Sequence, residues 1–63
     1  MKFTGVFNYQ RGINTMTTEA GTERQAWLFF CHGLAMQHSV SDRTMRNYFN
    51  GNKLNYMIRE EKS

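Results

Sequence analysis

The stretch TERQAWLFFCHGLAMQ, residues 22–37, decides the fold. Its start fits the capping box of a helix, in which a Thr at the first position is followed three residues later by Glu or Gln, here Thr22 and Gln25. Apolar residues then recur at helical spacing. We therefore predict a helix over residues 23–37, and the stripe that faces the core consists of Trp27, Phe30, Cys31, Leu34 and Ala35.

The segment before this helix alternates between apolar and polar residues, which is typical of half-buried strands. Its large side chains share one side of the period, at Phe3, Phe7 and Tyr9. Arg11 and Gly12 interrupt the alternation and indicate a two-residue turn, which pairs Tyr9 with Asn14. The pattern predicts a β-hairpin over residues 3–18.

The segment after the helix predicts a second helix and a third strand. Ser41 can cap a helix over residues 41–49, and Asn50 with Gly51 supplies a left-handed end. Alternating apolar residues then predict a strand over residues 53–59. The order β-β-α-α-β indicates an α+β fold, in which a three-stranded antiparallel sheet packs against two helices on one face, and residues 1–63 form one small domain.

Size and composition argue for a binding protein rather than an enzyme. A chain of 63 residues buries too little surface to build a deep catalytic cleft, so we expect neither catalysis nor a cofactor.

Charge and cysteine content indicate the kind of partner and the compartment. A net charge of +3 suits a phosphate backbone or an acidic partner. The single cysteine favours a reducing, cytoplasmic location. The longest apolar stretch, of 11 residues, is shorter than the roughly 20 that cross a bilayer, so no membrane span is expected.

Residues with nucleophilic or metal-binding chemistry are Cys31, His32 and His38. Neighbouring residues on a helix point about 100° apart, and residues seven apart lie two turns apart. We therefore expect a buried thiol and two partly exposed imidazoles, with no catalytic or metal site.

Residues 34–51, LAMQHSVSDRTMRNYFNG, carry a further pattern. Apolar and small residues mark the first helix, the turn and the second helix at Leu34-Ala35, Val40-Ser41 and Thr44-Met45, and Asn50-Gly51 closes the segment. This pattern resembles the helix-turn-helix of the phage repressor and Cro-like families. Two positions depart from the family: His38 stands where an apolar residue is usual, and Ser39 where glycine is usual. An ordinary helical hairpin with a Ser cap has the same features.

The resemblance implies a DNA-binding regulator of phage or prophage type. In that family the second helix enters the major groove of double-stranded DNA, which here places Arg43, Arg46 and Asn47 at base edges or phosphates, with Asp42 beside them. We expect additional phosphate contacts from basic residues elsewhere in the chain, namely Arg11, Lys53 and Arg59.

The first helix carries more apolar residues than one small sheet can cover. Leu28, Phe29 and Met36 lie outside the stripe that faces the core. Such a patch is typical of a protein interface. The alternative prediction is therefore a phage-type accessory protein that binds and inhibits a host protein complex, for example a defence system. A homodimer through the same patch would also duplicate the arginines across a two-fold axis.

Overall fold

Three strands and two helices follow one another in the predicted order. The computed structural model describes residues 1–50 and 54–62, with the elements β1 (Lys2–Tyr9), β2 (Gly12–Glu19), α1 (Glu23–His38), α2 (Asp42–Phe49) and β3 (Tyr56–Glu61). The strands form one antiparallel sheet of order β2-β1-β3. The α+β class and the β-β-α-α-β order are therefore confirmed.

The turn of the hairpin lies one residue earlier than predicted. Gln10 and Arg11 form the two-residue loop with positive φ angles of 50° and 65°, and Tyr9 pairs with Gly12 rather than with Asn14. The register predicted from an Arg11-Gly12 turn is thus wrong by two residues. A slip of two residues keeps every side chain on its own face of the sheet, so the hydrophobic pattern could not distinguish the two registers.

The sheet is longer than predicted at the end that holds Lys2, Glu19 and Glu61. The Ala20 amide donates to the Met1 carbonyl over 2.9 Å, which extends the hairpin beyond residues 3–18. β3 is shifted along the chain relative to the predicted strand over residues 53–59, because Glu61 pairs with Lys2 and accepts a 2.7 Å hydrogen bond from the Thr4 hydroxyl. The start of the predicted strand, at Lys53, lies outside the described residues.

Hydroxyl side chains cap both helices at their N-termini. Thr22 accepts a hydrogen bond from the Gln25 amide over 3.1 Å, and Ser41 accepts one from the Thr44 amide over 3.1 Å. α1 ends at His38, and the next residue, Ser39, caps it in the left-handed conformation, with a φ of 58° that a glycine often supplies at a helix end. The bounds of α1 and α2 differ from the predicted ones by one residue, and three residues separate the two helices.

The core lies between the helices and one face of the sheet. Its centre is Phe7, whose ring is 4.9 Å from that of Phe49 on α2 and 5.6 Å from that of Phe30 on α1. These contacts join the central strand to both helices. The buried side chains include the predicted Phe30, Cys31, Leu34 and Ala35, whereas Trp27 is only partly buried. In the described ranges, both helices are too short and too polar to span a lipid bilayer.

Candidate nucleic-acid interface

α2 presents one face to the core and a polar face to solvent. Met45 and Phe49 are fully buried, while Arg43 and Asn47 are exposed and stand one turn apart. Arg46 lies beside them and is half-buried. The three side chains that the helix-turn-helix resemblance selected therefore share one side of this short helix.

A groove between the two helices adds residues to this polar face. Arg24 of α1 lines the groove together with Arg46, Asn47 and Asn50, over a floor that Trp27 and Leu28 help to form. We call the side chains of Arg24, Arg43, Arg46, Asn47 and Asn50 the basic face. It carries three guanidinium groups and two amides, which can donate hydrogen bonds to phosphates or to base edges.

The acidic residue at the start of α2 is directed toward α1. The Asp42 Oδ2 atom lies 2.7 Å from His32 Nδ1, and both side chains are partly exposed. This pairing links the first turn of α2 to the middle of α1. The contact holds the Asp42 carboxylate toward α1 and away from the exposed side of Arg43 and Asn47.

Cys31 lies on α1 as a buried, free thiol. Burial raises the pKa of the Cys31 thiol to about 11, an effect that nearby Arg46 partly opposes and Asp42 reinforces. The thiol is therefore protonated at neutral pH and a poor nucleophile. Among the described residues, no three His, Cys, Asp or Glu side chains come together as metal ligands would.

The other predicted phosphate contacts lie apart from the basic face. Arg11 is at the tip of the hairpin. Arg59 follows Ile58, which packs against the core, so its side chain projects from the opposite face of the sheet. Lys53 is outside the described residues. The structure thus brings Arg43, Arg46 and Asn47 together and leaves Arg59 on the other side of the molecule.

The predicted apolar patch is exposed in part. Phe29 and Met36 are 46% and 70% exposed, and their spacing of seven residues places them on one side of α1. Leu28 is half-buried and lines the groove beside Arg24 and Arg46. Leu28 is therefore separated from the other two, and the exposed apolar surface of α1 consists of Phe29 and Met36.

Two members of the basic face are not predicted from the sequence, namely Asn50, which is expected only to end α2, and Arg24. Arg24 lies outside the segment that resembles a helix-turn-helix. Its spacing of four residues from Leu28 places both on one side of α1. Which side of α1 meets α2 depends on tertiary packing, and no local pattern reveals it.

Comparison of the chain with protein-family models, with curated proteins and with solved structures finds no match.

Proposed function

We propose that this protein is a small, non-enzymatic DNA-binding regulator that contacts double-stranded DNA through its basic face. The observation that supports the proposal is the grouping of Arg24 from α1 with Arg46 and Asn47 from α2 along one groove. Arg43 extends this surface at the exposed start of α2. The residues that form the surface come from the segment that resembles the helix-turn-helix of phage regulators and from the helix packed against it.

The size and chemistry of α2 suit the major groove. An α-helix with its side chains is about 10–12 Å across, which fits the roughly 12 Å width of that groove, and the eight residues of α2 span about two turns. Arg43 and Arg46 can bind guanine edges or phosphates with two parallel hydrogen bonds, and Asn47 can bind adenine in the same manner. We assign Arg24 to the phosphate backbone of the DNA, since it lies on α1, at the border of the protein groove between the two helices.

The experiment is a fluorescence-anisotropy titration against mixed-sequence duplex DNA at low and moderate salt. We expect micromolar binding at low salt that weakens steeply as salt rises, because bound cations are released from the phosphates. The double variant Arg43→Ala with Arg46→Ala should lose this binding. Arg24→Ala should weaken it and lower the slope of log affinity against log salt by about 1.

Arg59→Ala is the matched control for Arg24→Ala, since each variant removes one positive charge and Arg59 lies on the opposite face of the sheet. It should bind DNA nearly as well as the unmodified protein. Circular dichroism of each variant shows whether the fold is retained. Full DNA affinity in a folded Arg43→Ala, Arg46→Ala variant would rule out the basic face as the binding surface, and so would equal losses in that variant and in Arg59→Ala.

A second candidate function rests on Phe29 and Met36. We propose as the alternative that the protein is a phage-type accessory protein that binds and inhibits a host protein complex through this exposed side of α1. The half-exposed Phe29 ring is the kind of aromatic anchor that dominates binding energy at protein interfaces. Phe29→Ser should then abolish retention of a partner on immobilised protein, while Gln37→Ser, a change at an exposed polar residue of α1, should not.

The two candidates differ in what each variant affects. DNA binding predicts that Phe29→Ser leaves the anisotropy titration unchanged, whereas the inhibitor function predicts that the Arg43→Ala, Arg46→Ala variant still retains its partner. Unfolding of Phe29→Ser would show that Phe29 belongs to the core and would remove the basis of the alternative.

A further inference from the structure

We propose that two copies of this chain pair through the outer edges of β2, which joins their sheets into one six-stranded sheet. The inference is independent of the proposed function, since it uses neither α2 nor the basic face. It rests on the hydrogen-bonding groups of an uncovered edge strand and on two opposite charges beside it, Glu19 at its end and Arg11 in the loop before its start.

β2 is an edge strand with unused backbone hydrogen-bonding capacity. The sheet order β2-β1-β3 gives β2 a single neighbour within the described part of the chain. The Asn8 amide donates to the Asn55 carbonyl, so even-numbered residues of β1 bond toward β3 and odd-numbered ones toward β2. Phe7 is opposite Asn14, which turns the backbone groups of Ile13, Thr15 and Thr17 toward the free edge.

The two edges of the sheet differ in how they are protected. Proteins usually blunt an exposed edge with charged residues, Pro, a bulge or a short strand. The β3 edge carries Arg59, Glu60 and Glu61. β2 has none of these devices from Gly12 to Thr18: its eight residues pair continuously with β1, and the one charged residue is Glu19 at its end. This edge is therefore open to another strand.

Charge selects a second copy of β2 as that strand. In an antiparallel pair with Thr15 opposite Thr15 of the second copy, Ile13 lies opposite Thr17. Glu19 at the end of one β2 then comes beside Arg11 in the hairpin loop of the other copy, and this happens at both ends. Arg11 is exposed at the hairpin tip, and the Glu19 side chain is 78% exposed, although its carboxylate is 3.5 Å from the N-terminal amine. Opposite charges brought close together across two antiparallel strands attract each other, so β2 and the loop before it are complementary to a second copy in this register.

The pairing keeps the two copies in equivalent environments. A two-fold axis perpendicular to the sheet passes between the two Thr15 residues, so both helix layers lie on the same side of the joined sheet. The outward side chains of Ile13, Thr15 and Thr17 from each copy then form one continuous surface on the other side. Ile13, which is 72% exposed in the single chain, gains a neighbour there.

Cross-linking through introduced cysteines tests the register. Cα atoms of facing, hydrogen-bonded residues are about 5.5 Å apart, a distance that a disulfide spans, so Thr15→Cys should form a disulfide-linked dimer under mild oxidation. Asn8→Cys is the control, because it is exposed on the central strand and lies far from its copy in the proposed dimer. The native Cys31 is buried and does not compete.

Charge reversal tests the same pairing without a covalent bond. Arg11→Glu and Glu19→Arg each place like charges in contact at both ends, so each variant alone should dimerise about tenfold more weakly than the unmodified protein. A mixture of the two variants restores opposite charges at both ends, and should form a heterodimer as tight as the original dimer. Sedimentation velocity over a range of concentrations measures all three.

The proposal fails if the unmodified protein stays monomeric at high concentration, which would leave this edge for a strand of a different protein. It also fails if a dimer forms that Thr15→Cys does not cross-link, or cross-links no better than Asn8→Cys. Equal weakening in the mixture and in the single charge-reversed variants would exclude the Arg11–Glu19 pairing.

Discussion

Gly5 stands where the central strand passes beneath the α1 helix. A Cβ atom at this position would lie 2.7 Å from a ring carbon of Phe30 and 2.8 Å from one of Phe7. Both rings belong to the buried core, where close packing resists their displacement. We expect Gly5→Ala to lower the free energy of unfolding by about 1–3 kcal/mol through overpacking, as measured by urea denaturation.

Gly33 provides the matched comparison within the same chain. It lies in the middle of α1, and an added Cβ would meet no atom within 4 Å. Ala is favoured over Gly in a helix interior, so Gly33→Ala should raise the free energy of unfolding by about 1 kcal/mol. Equal effects of the two substitutions would contradict the packing around Gly5.

At the scale of the elements, the stability of the short helix α2 depends on the residues at its ends. It has eight residues, which is too short for a helix to be stable by itself in water. The Ser41 hydroxyl accepts a hydrogen bond from the Thr44 amide and donates one to the Thr44 hydroxyl over 2.8 Å. Ser41→Ala should therefore lower the free energy of unfolding by about 1 kcal/mol.

Amide hydrogen exchange in α2 should show the loss of the cap as faster exchange in its first turn. Thr44→Ala is the control, because it removes only the hydroxyl that Ser41 contacts and keeps the backbone amide that Ser41 caps. It should affect stability less than Ser41→Ala. A larger effect of Thr44→Ala would contradict the capping role of Ser41.

The elements were predictable where local chemistry determines them. Both N-caps and the alternation in the hairpin are encoded by neighbouring residues, so the sequence predicts the strands and helices in their correct order. The hairpin register was not predictable, because Gln10 and Arg11 adopt left-handed conformations that neither residue type signals. The membership of Arg24 in the basic face, and the separation of Leu28 from Phe29, depend on how α1 meets α2.

At the scale of the whole molecule, the small size of the chain limits the free energy of unfolding, so a dimer would add noticeably to its stability. A chain of 63 residues buries only about 60% of the surface that its unfolded form exposes, which leaves a small margin of stability. Pairing of the β2 edges would add backbone hydrogen bonds and cover Ile13. It would also place two basic faces on one side of a joined sheet, the arrangement that a two-fold symmetric DNA site requires.

A dimer of this kind makes the thermal midpoint depend on protein concentration, because dilution favours dissociated and unfolded chains. Over a hundredfold increase in concentration around the dissociation constant, we expect the midpoint to rise by roughly 5 °C. Calorimetry or circular dichroism at several concentrations measures this rise. Arg11→Glu should show a much smaller rise of the midpoint over the same range, because its dimer is weaker. Arg59→Ala changes a charge away from the β2 edge and should behave as the unmodified protein does. A midpoint that is independent of concentration in the unmodified protein would show that each chain folds and unfolds alone, and the β2 edge would then contribute nothing to its stability.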